Sequence, residues 1–335
     1  MQPPRPIAHP DAITAPTASP VHAGIINRKA WAMRWEDRAE SLRLAREVLS
    51  LRTQDERPGP SAALAARTIA WQARWRGDLD GAADFGARAL EVLAETPRMA
   101  GPLADLHAIF ADLYLARGRS DLARASVEGG FAALGAEEAP ETRIDLLCAQ
   151  ARILERSRHV KEAADTLMNA MSIAAGPEIP RVHHELARLY EADGRLQEAL
   201  SHAMRALSGA RAQANRVILP HALASVAACH RQSEATDRAR TYIAEGLEIA
   251  EAEGDRRAEL NLLYQRALID AEAGASGEAL EAAQKGALIA AELTFPRWAR
   301  RFGRLLAETH ETLGNTAEAL RAYKHLYHLV EDDRS

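Results

Sequence analysis

The sequence predicts an all-α array of about eight helix-turn-helix units, and three observations point to it. Within RVHHELARLYEADGRLQEALSHAMRALSGA, Gly194 interrupts a helical pattern and Ala199 follows five residues later; the same arrangement returns at Gly274/Ala279 and Gly314/Ala319. Small side chains let two helix backbones approach, and glycine supplies the left-handed turn between them. With that alanine as a ruler, the equivalent positions are Ser41, Ala82, Ala123, Ala163, Ala199, Ala239, Ala279 and Ala319, about 40 residues apart. Composition agrees, since 47% of residues are hydrophobic while only 5% are aromatic, which suits many helix-on-helix contacts better than one thick core.

Along the chain, residues 1–21 carry Pro3, Pro4, Pro6, Pro10, Pro16 and Pro20. Such a stretch cannot propagate a helix, so it is expected to be a disordered tail. The array is expected over 22–331, with 332–335 as a short C-terminal tail. Its first unit has Ser41 at the ruler position and is expected to act as a cap. Gly77, Gly118, Gly194, Gly274 and Gly314 mark five turns; Arg158 and Glu234 replace glycine in two others, whose turns are expected to be looser or differently built. Pro60, Pro102, Pro140, Pro180, Pro220 and Pro296 fall where a first helix should begin, because proline is tolerated in a first turn that needs no backbone donor.

Small residues at the eighth place of each unit (Ala70, Ala111, Ala151, Ala187, Ala227, Ala267, Ala307) and the twenty-seventh (Ala89, Gly130, Ala170, Ala206, Gly246, Gly286) complete a pattern that resembles the tetratricopeptide repeat over residues 22–331. The resemblance implies a right-handed α-solenoid whose first helices line a concave groove, with places 2, 5, 9, 12 and 13 pointing inward. The units are about 40 residues long instead of the usual 34, which resembles regulatory members of the family that gate a separate effector.

By that register the groove carries AWAMRW at 30–35 and AWQARW at 70–75. Trp31, Trp35, Trp71 and Trp75, four of the five tryptophans, thus fall on neighbouring units beside Arg34 and Arg74. Two readings stand: the rings grip a peptide, or they close the N-terminal end of the array. A second cluster, Arg152, Arg156, Arg181, His184, Arg188, His221 and Arg231, has Glu155 and Glu191 interleaved. Arginine forks bind carboxylates bidentately, so this is either a seat for an acidic side chain or chain terminus, or a set of internal ion pairs. The clamp of chaperone-tail binders in the family needs Lys and Asn where this chain has Arg67, Trp71, Asp112 and Arg152, so that partner class is not expected.

The last unit places Leu320, Tyr323, Leu326, Tyr327 and Val330 on one face, which is expected to meet a second copy or a partner. Its AYKHLYHL is similar to the closing repeat of bacterial sensor arrays that precede diguanylate cyclase domains, but the chain has no GGDEF motif.

The remaining classes find no support. Net charge is −5, without the electrostatic footprint of a nucleic-acid binder. His183/His184 and His325/His328 lack the company of a metal site, and no phosphate loop or nucleophile motif occurs. Cys148 and Cys229 are expected to be reduced thiols of a cytoplasmic protein. No membrane span, export signal, cofactor or catalysis is expected. The function expected is a protein- or peptide-binding scaffold that uses Trp31, Arg67, Trp71, Arg74, Trp75, Arg152, His184, Arg188, Arg231 and Tyr264. The alternative is a sensory or regulatory module of a bacterial signalling system that binds a peptide or small molecule and signals through its last helix.

Overall fold

A computed structural model describes residues 20–51 and 59–331, and all regular structure in them is helical. The proline-rich stretch to residue 19 and the tail 332–335 lie outside the described residues; Pro20 and Val21, assigned above to the tail, already belong to the first helix. Eight hairpins follow one another. They are α1 (Pro20–Ala32) with α2 (Arg38–Ser50), α3 (Pro60–Arg76) with α4 (Leu79–Ala94), α5 (Ala100–Ala116) with α6 (Ser120–Leu134), and α7 (Pro140–Arg156) with α8 (Val160–Ile173). Then come α9 (Glu178–Ala192) with α10 (Leu196–Ala212), α11 (Leu219–Gln232) with α12 (Thr236–Glu253), α13 (Arg256–Glu272) with α14 (Ser276–Glu292), and α15 (Pro296–Thr312) with α16 (Thr316–Glu331). A 3-10 turn, Met33–Trp35, replaces the end of the first helix in unit one.

The alanine ruler marks real contacts. Ala82, Ala123, Ala163, Ala199, Ala239 and Ala279 are fully buried, each where a second helix crosses its first. Small residues at the twenty-seventh place are required by the neighbouring unit: a Cβ on Gly286 would stand 2.2 Å from the Phe302 ring, and one on Gly130 2.4 Å from Leu146. The turns correct one expectation. Arg158 and Glu234 adopt positive φ, 66° and 60°, close to the 78° of Gly194. Arg158 N donates to Glu155 O at 3.0 Å and His159 N to Leu154 O at 3.0 Å, matching Gly194 N to Glu191 O at 3.1 Å and Arg195 N to Tyr190 O at 2.9 Å. These turns are built like the glycine ones; the hydrogen bonds and the packing of the hairpin hold a side-chain-bearing residue in a conformation glycine would adopt more cheaply.

The array also closes on itself. Arg38 of α2 meets Asp255, the N-cap of α13, at 3.1 Å, with both side chains buried. Asp255 also lies 3.4 Å from His221 Nε2 of α11, and Arg76 Nε donates to Gly254 O at 3.3 Å. Units one and two therefore touch units six and seven, and the first helices α3, α5, α7, α9, α11 and α13 ring a central channel.

Candidate functional site

One end of this channel is plugged by unit one. Trp35, on its 3-10 turn, packs edge-on to Trp71 with ring centroids 4.6 Å apart and lies 5.9 Å from Trp75, both on α3; the Arg181 guanidinium of α9 lies 5.9 Å from the Trp35 ring and from the Trp75 ring. Trp31 packs 6.2 Å from Trp71 beneath the Arg67 guanidinium, 3.7 Å away. Trp71, Trp35 and Trp75 are 1%, 2% and 6% exposed, so the tryptophans fill this end as a core.

The arginines around the rings each have a carboxylate. Arg34 pairs with Glu141, Arg67 with Asp105 at 2.8 Å, Arg74 with Asp112 at 3.1 Å, and Arg181 with Asp145 and with Glu178 at 3.1 Å. Burial pushes Asp105 up to about 6 against the pull of Arg67 and Thr142, and pushes Glu178 up to about 7 against Arg181. Arg67, Trp71, Arg74 and Trp31 of the expected binding set thus belong to the plug.

Beyond the plug the channel opens into a cavity of about 230 Å³. Trp75, Asp112, His184, Glu185, His221 and Ser225 form its buried floor; Arg156, Ala192 and Arg297 at its edge are exposed. Six arginines and four carboxylates line it: Arg152, Arg156, Arg188, Arg257, Arg297 and Arg301 against Asp112, Glu155, Glu185 and Glu191. Arg152 engages Asp112 and Glu185, and Arg188 engages Glu155 at 2.6 Å and Glu185 at 3.3 Å. Burial alone would raise Glu185, but Arg152 and Arg188 outweigh it and hold the carboxyl well below its usual range.

The other four guanidiniums lack such company. Arg156 donates to the Leu115 carbonyl, Arg301 stacks 5.0 Å from the Trp298 ring and 5.3 Å from Tyr264, and Arg257 and Arg297 make no hydrogen bond or ion pair with the described residues. Burial and then the neighbouring Arg152 and Arg188 lower Arg156; burial, with Arg301 and Arg188 next, brings Arg297 down to about 10. Burial also lowers Arg257, Asp112 only partly compensating. These cations remain charged at neutral pH, and positive charge is in excess around one enclosed space.

Of the expected binding residues, the cavity brings together Trp75, Arg152, His184 and Arg188. Arg231 lies beside it, donating to Gln265 at 3.1 Å and pairing with Glu272 at 2.6 Å, and Tyr264 packs behind Trp298 at 5.7 Å. Arg257, Asn261, Arg297, Trp298 and Arg301 were missed. The signal for three of them was present in PRWARR, where the fifth tryptophan stands between arginines four residues apart, one helical turn.

Elsewhere, Leu320, Tyr323 and Tyr327 are exposed on α16, whereas Leu326 turns inward, its Cδ1 3.7 Å from where a Gly303 Cβ would stand. Leu326 is therefore half-buried against α15, while the Val330 side chain lies outside the described residues. Burial pushes both cysteine thiols up to about 12, so neither is an activated nucleophile. Among the described residues no three His, Cys, Asp or Glu side chains cluster as metal ligands, and no helix is long and apolar enough to cross a membrane.

No family model matches the chain, and no curated protein matches it. Solved structures do. It is similar to a Rap protein complexed with Competence and Sporulation Factor, with TM-score 0.68 and 13% identity over 93% of this chain and 98% of that one. The Rap conjugation gene regulator of the plasmid pLS20, in complex with the Phr* peptide, matches with TM-score 0.65 and 12% identity over 95% and 97%. A signal transduction ATPase with a tetratricopeptide repeat sensor from Pyrococcus horikoshii matches with TM-score 0.55 and 14% identity, covering 93% of this chain and 49% of that one. At such identities the likeness is one of fold, a solenoid of tetratricopeptide type.

Proposed function

We propose that this chain is a non-catalytic regulator that binds a peptide segment through an anionic group seated in the arginine-lined cavity. The observation that carries the reading is that half-buried Arg257 makes no hydrogen bond or ion pair among the described residues, nor does Arg297 at the exposed rim, while Arg152 and Arg188 in the same cavity each take two carboxylates. Like charges held together in a partly desolvated space cost free energy that an incoming carboxylate recovers, and guanidinium forks match its geometry. Trp298, backed by Tyr264, offers an apolar wall beside that seat. The structural neighbours that hold Competence and Sporulation Factor and the Phr* peptide support a peptide as ligand.

The test is selection of a random displayed peptide library on the wild-type chain and on Arg257→Gln/Arg297→Gln. Acidic peptides should be enriched on wild type, bind the double variant at least tenfold more weakly, and weaken with salt. Peptides without acidic enrichment, or equal affinity for both chains, would overturn the reading.

One observation favours signalling through the last unit. Helix α15 carries Arg297 and Arg301 at the cavity and packs directly on α16, whose outer face exposes Leu320, Tyr323 and Tyr327. A ligand that draws α15 inward would move that face, and self-association through it would then depend on ligand. Light scattering with and without a selected acidic peptide checks this, beside Tyr323→Ser/Tyr327→Ser; a mass that never changes refutes it.

A further inference from the structure

We infer that the cavity is a socket with one mouth, so that it takes the carboxylate end of a chain and excludes an anionic residue inside a through-running segment. The inference rests on the anion-seat reading above and adds to it what the plug does. An open solenoid groove lets an extended peptide enter at one end and leave at the other. Here the array closes through Arg38 and Asp255, and Trp35 stands inside the resulting ring, packed on Trp71 and Trp75 of α3, with the Arg181 guanidinium of α9 5.9 Å from both Trp35 and Trp75.

Burial runs in one direction along the cavity. Trp75 and His221, 6% exposed each and 5.6 Å apart, make a floor directly backed by Asp255 of the clasp. The exposed Arg156 and Arg297 mark where the cavity meets solvent. The space between, about 230 Å³, has room for a carboxylate and the residue that carries it, and the closed floor leaves a passing strand no second exit. The unpaired Arg257 selects the end: a terminal carboxylate neutralises it, whereas a terminal ammonium would add a like charge.

Three dye-labelled synthetic peptides test this by fluorescence anisotropy on the full chain. One has five residues and a free C-terminal carboxylate, the second is its C-terminal amide, and the third is an eleven-residue amide with glutamate at its centre. The free acid should bind, with the amide and the internal glutamate each at least tenfold weaker; Arg257→Gln should weaken the free acid to the level of its amide. Equal binding of the internal glutamate and the free acid overturns the one-mouthed socket while leaving the anion seat standing. Binding by none of the three, together with a library that yields no acidic peptide, overturns the seat and the socket with it.

Discussion

The plug and the cavity are neighbours in one channel, lined by the same two side-chain types, tryptophan and arginine, yet they are opposite in charge balance. In the plug, Arg34, Arg67, Arg74 and Arg181 all meet carboxylates, and Trp35, Trp71 and Trp75 are sealed from solvent. In the cavity, Arg257 and Arg297 meet none among the described residues, and Trp298 is only half-buried. Residue type therefore does not separate a core from a site. The count of partners does, because a buried charge is tolerated when paired and is costly when alone.

The comparison breaks most sharply at the rings. Trp71→Ala should remove about 3–5 kcal/mol of stability, read as a lower urea midpoint, while Trp298→Ala should cost less than half as much; equal losses would erase the distinction between core and wall. The arginines give the next largest contrast. Arg152→Met takes from buried Asp112 and Glu185 one of the two arginines each has, leaving Arg74 to the first and Arg188 to the second, so it should destabilise by about 2 kcal/mol. Arg257→Met removes a cation without a carboxylate and should leave stability within about 1 kcal/mol of wild type, on either side; a loss equal to that of Arg152→Met would mean that Arg257 is paired after all.

The smallest effect is in pH. Burial lowers His184 to about 3 on the cavity floor, where Ser225 Oγ lies 3.1 Å from its Nδ1. Its folded pKa is below the unfolded one, so the unfolded chain takes up the proton first and stability falls as pH drops below about 6.5, by on the order of 1 kcal/mol at pH 5.5. Glu178 and Asp105, raised by burial, act in the opposite sense over much of the same range. The difference between wild type and His184→Gln in thermal midpoints at pH 7.5 and 5.5 isolates the histidine; parallel pH profiles would show that it titrates freely.

The hairpins were legible because their causes are local. A glycine five residues before an alanine, and proline at a helix start, act within one unit and repeat at a fixed period. The turns at Arg158 and Glu234 were misread because the sequence shows the penalty of a side chain at positive φ but not the hydrogen bonds that offset it. The closure was invisible for another reason. Arg38 and Asp255 are 217 residues apart, and their meeting depends on a small rotation per unit summed over six units, which no single repeat displays. Without the closure, the tryptophans could be either groove or core, and the arginines either seat or ion pairs. With it, the tryptophans of units one and two pack as core, and Arg152, Arg181, Arg188 and Arg231 stand in ion pairs; the seat proposed above rests instead on Arg257 and Arg297.

The clasp also bears on how the chain folds. A linear repeat array can begin folding at any unit and fray from either terminus, since each unit needs only its neighbours. Tying α2 to the start of α13 makes the first unit depend on the seventh, so the N-terminal end is no longer a free end from which to unravel. The contact closes a loop of more than two hundred residues, and loop-closure entropy makes such contacts late. The ring is thus expected to form after its hairpins, with the channel among the last features to appear.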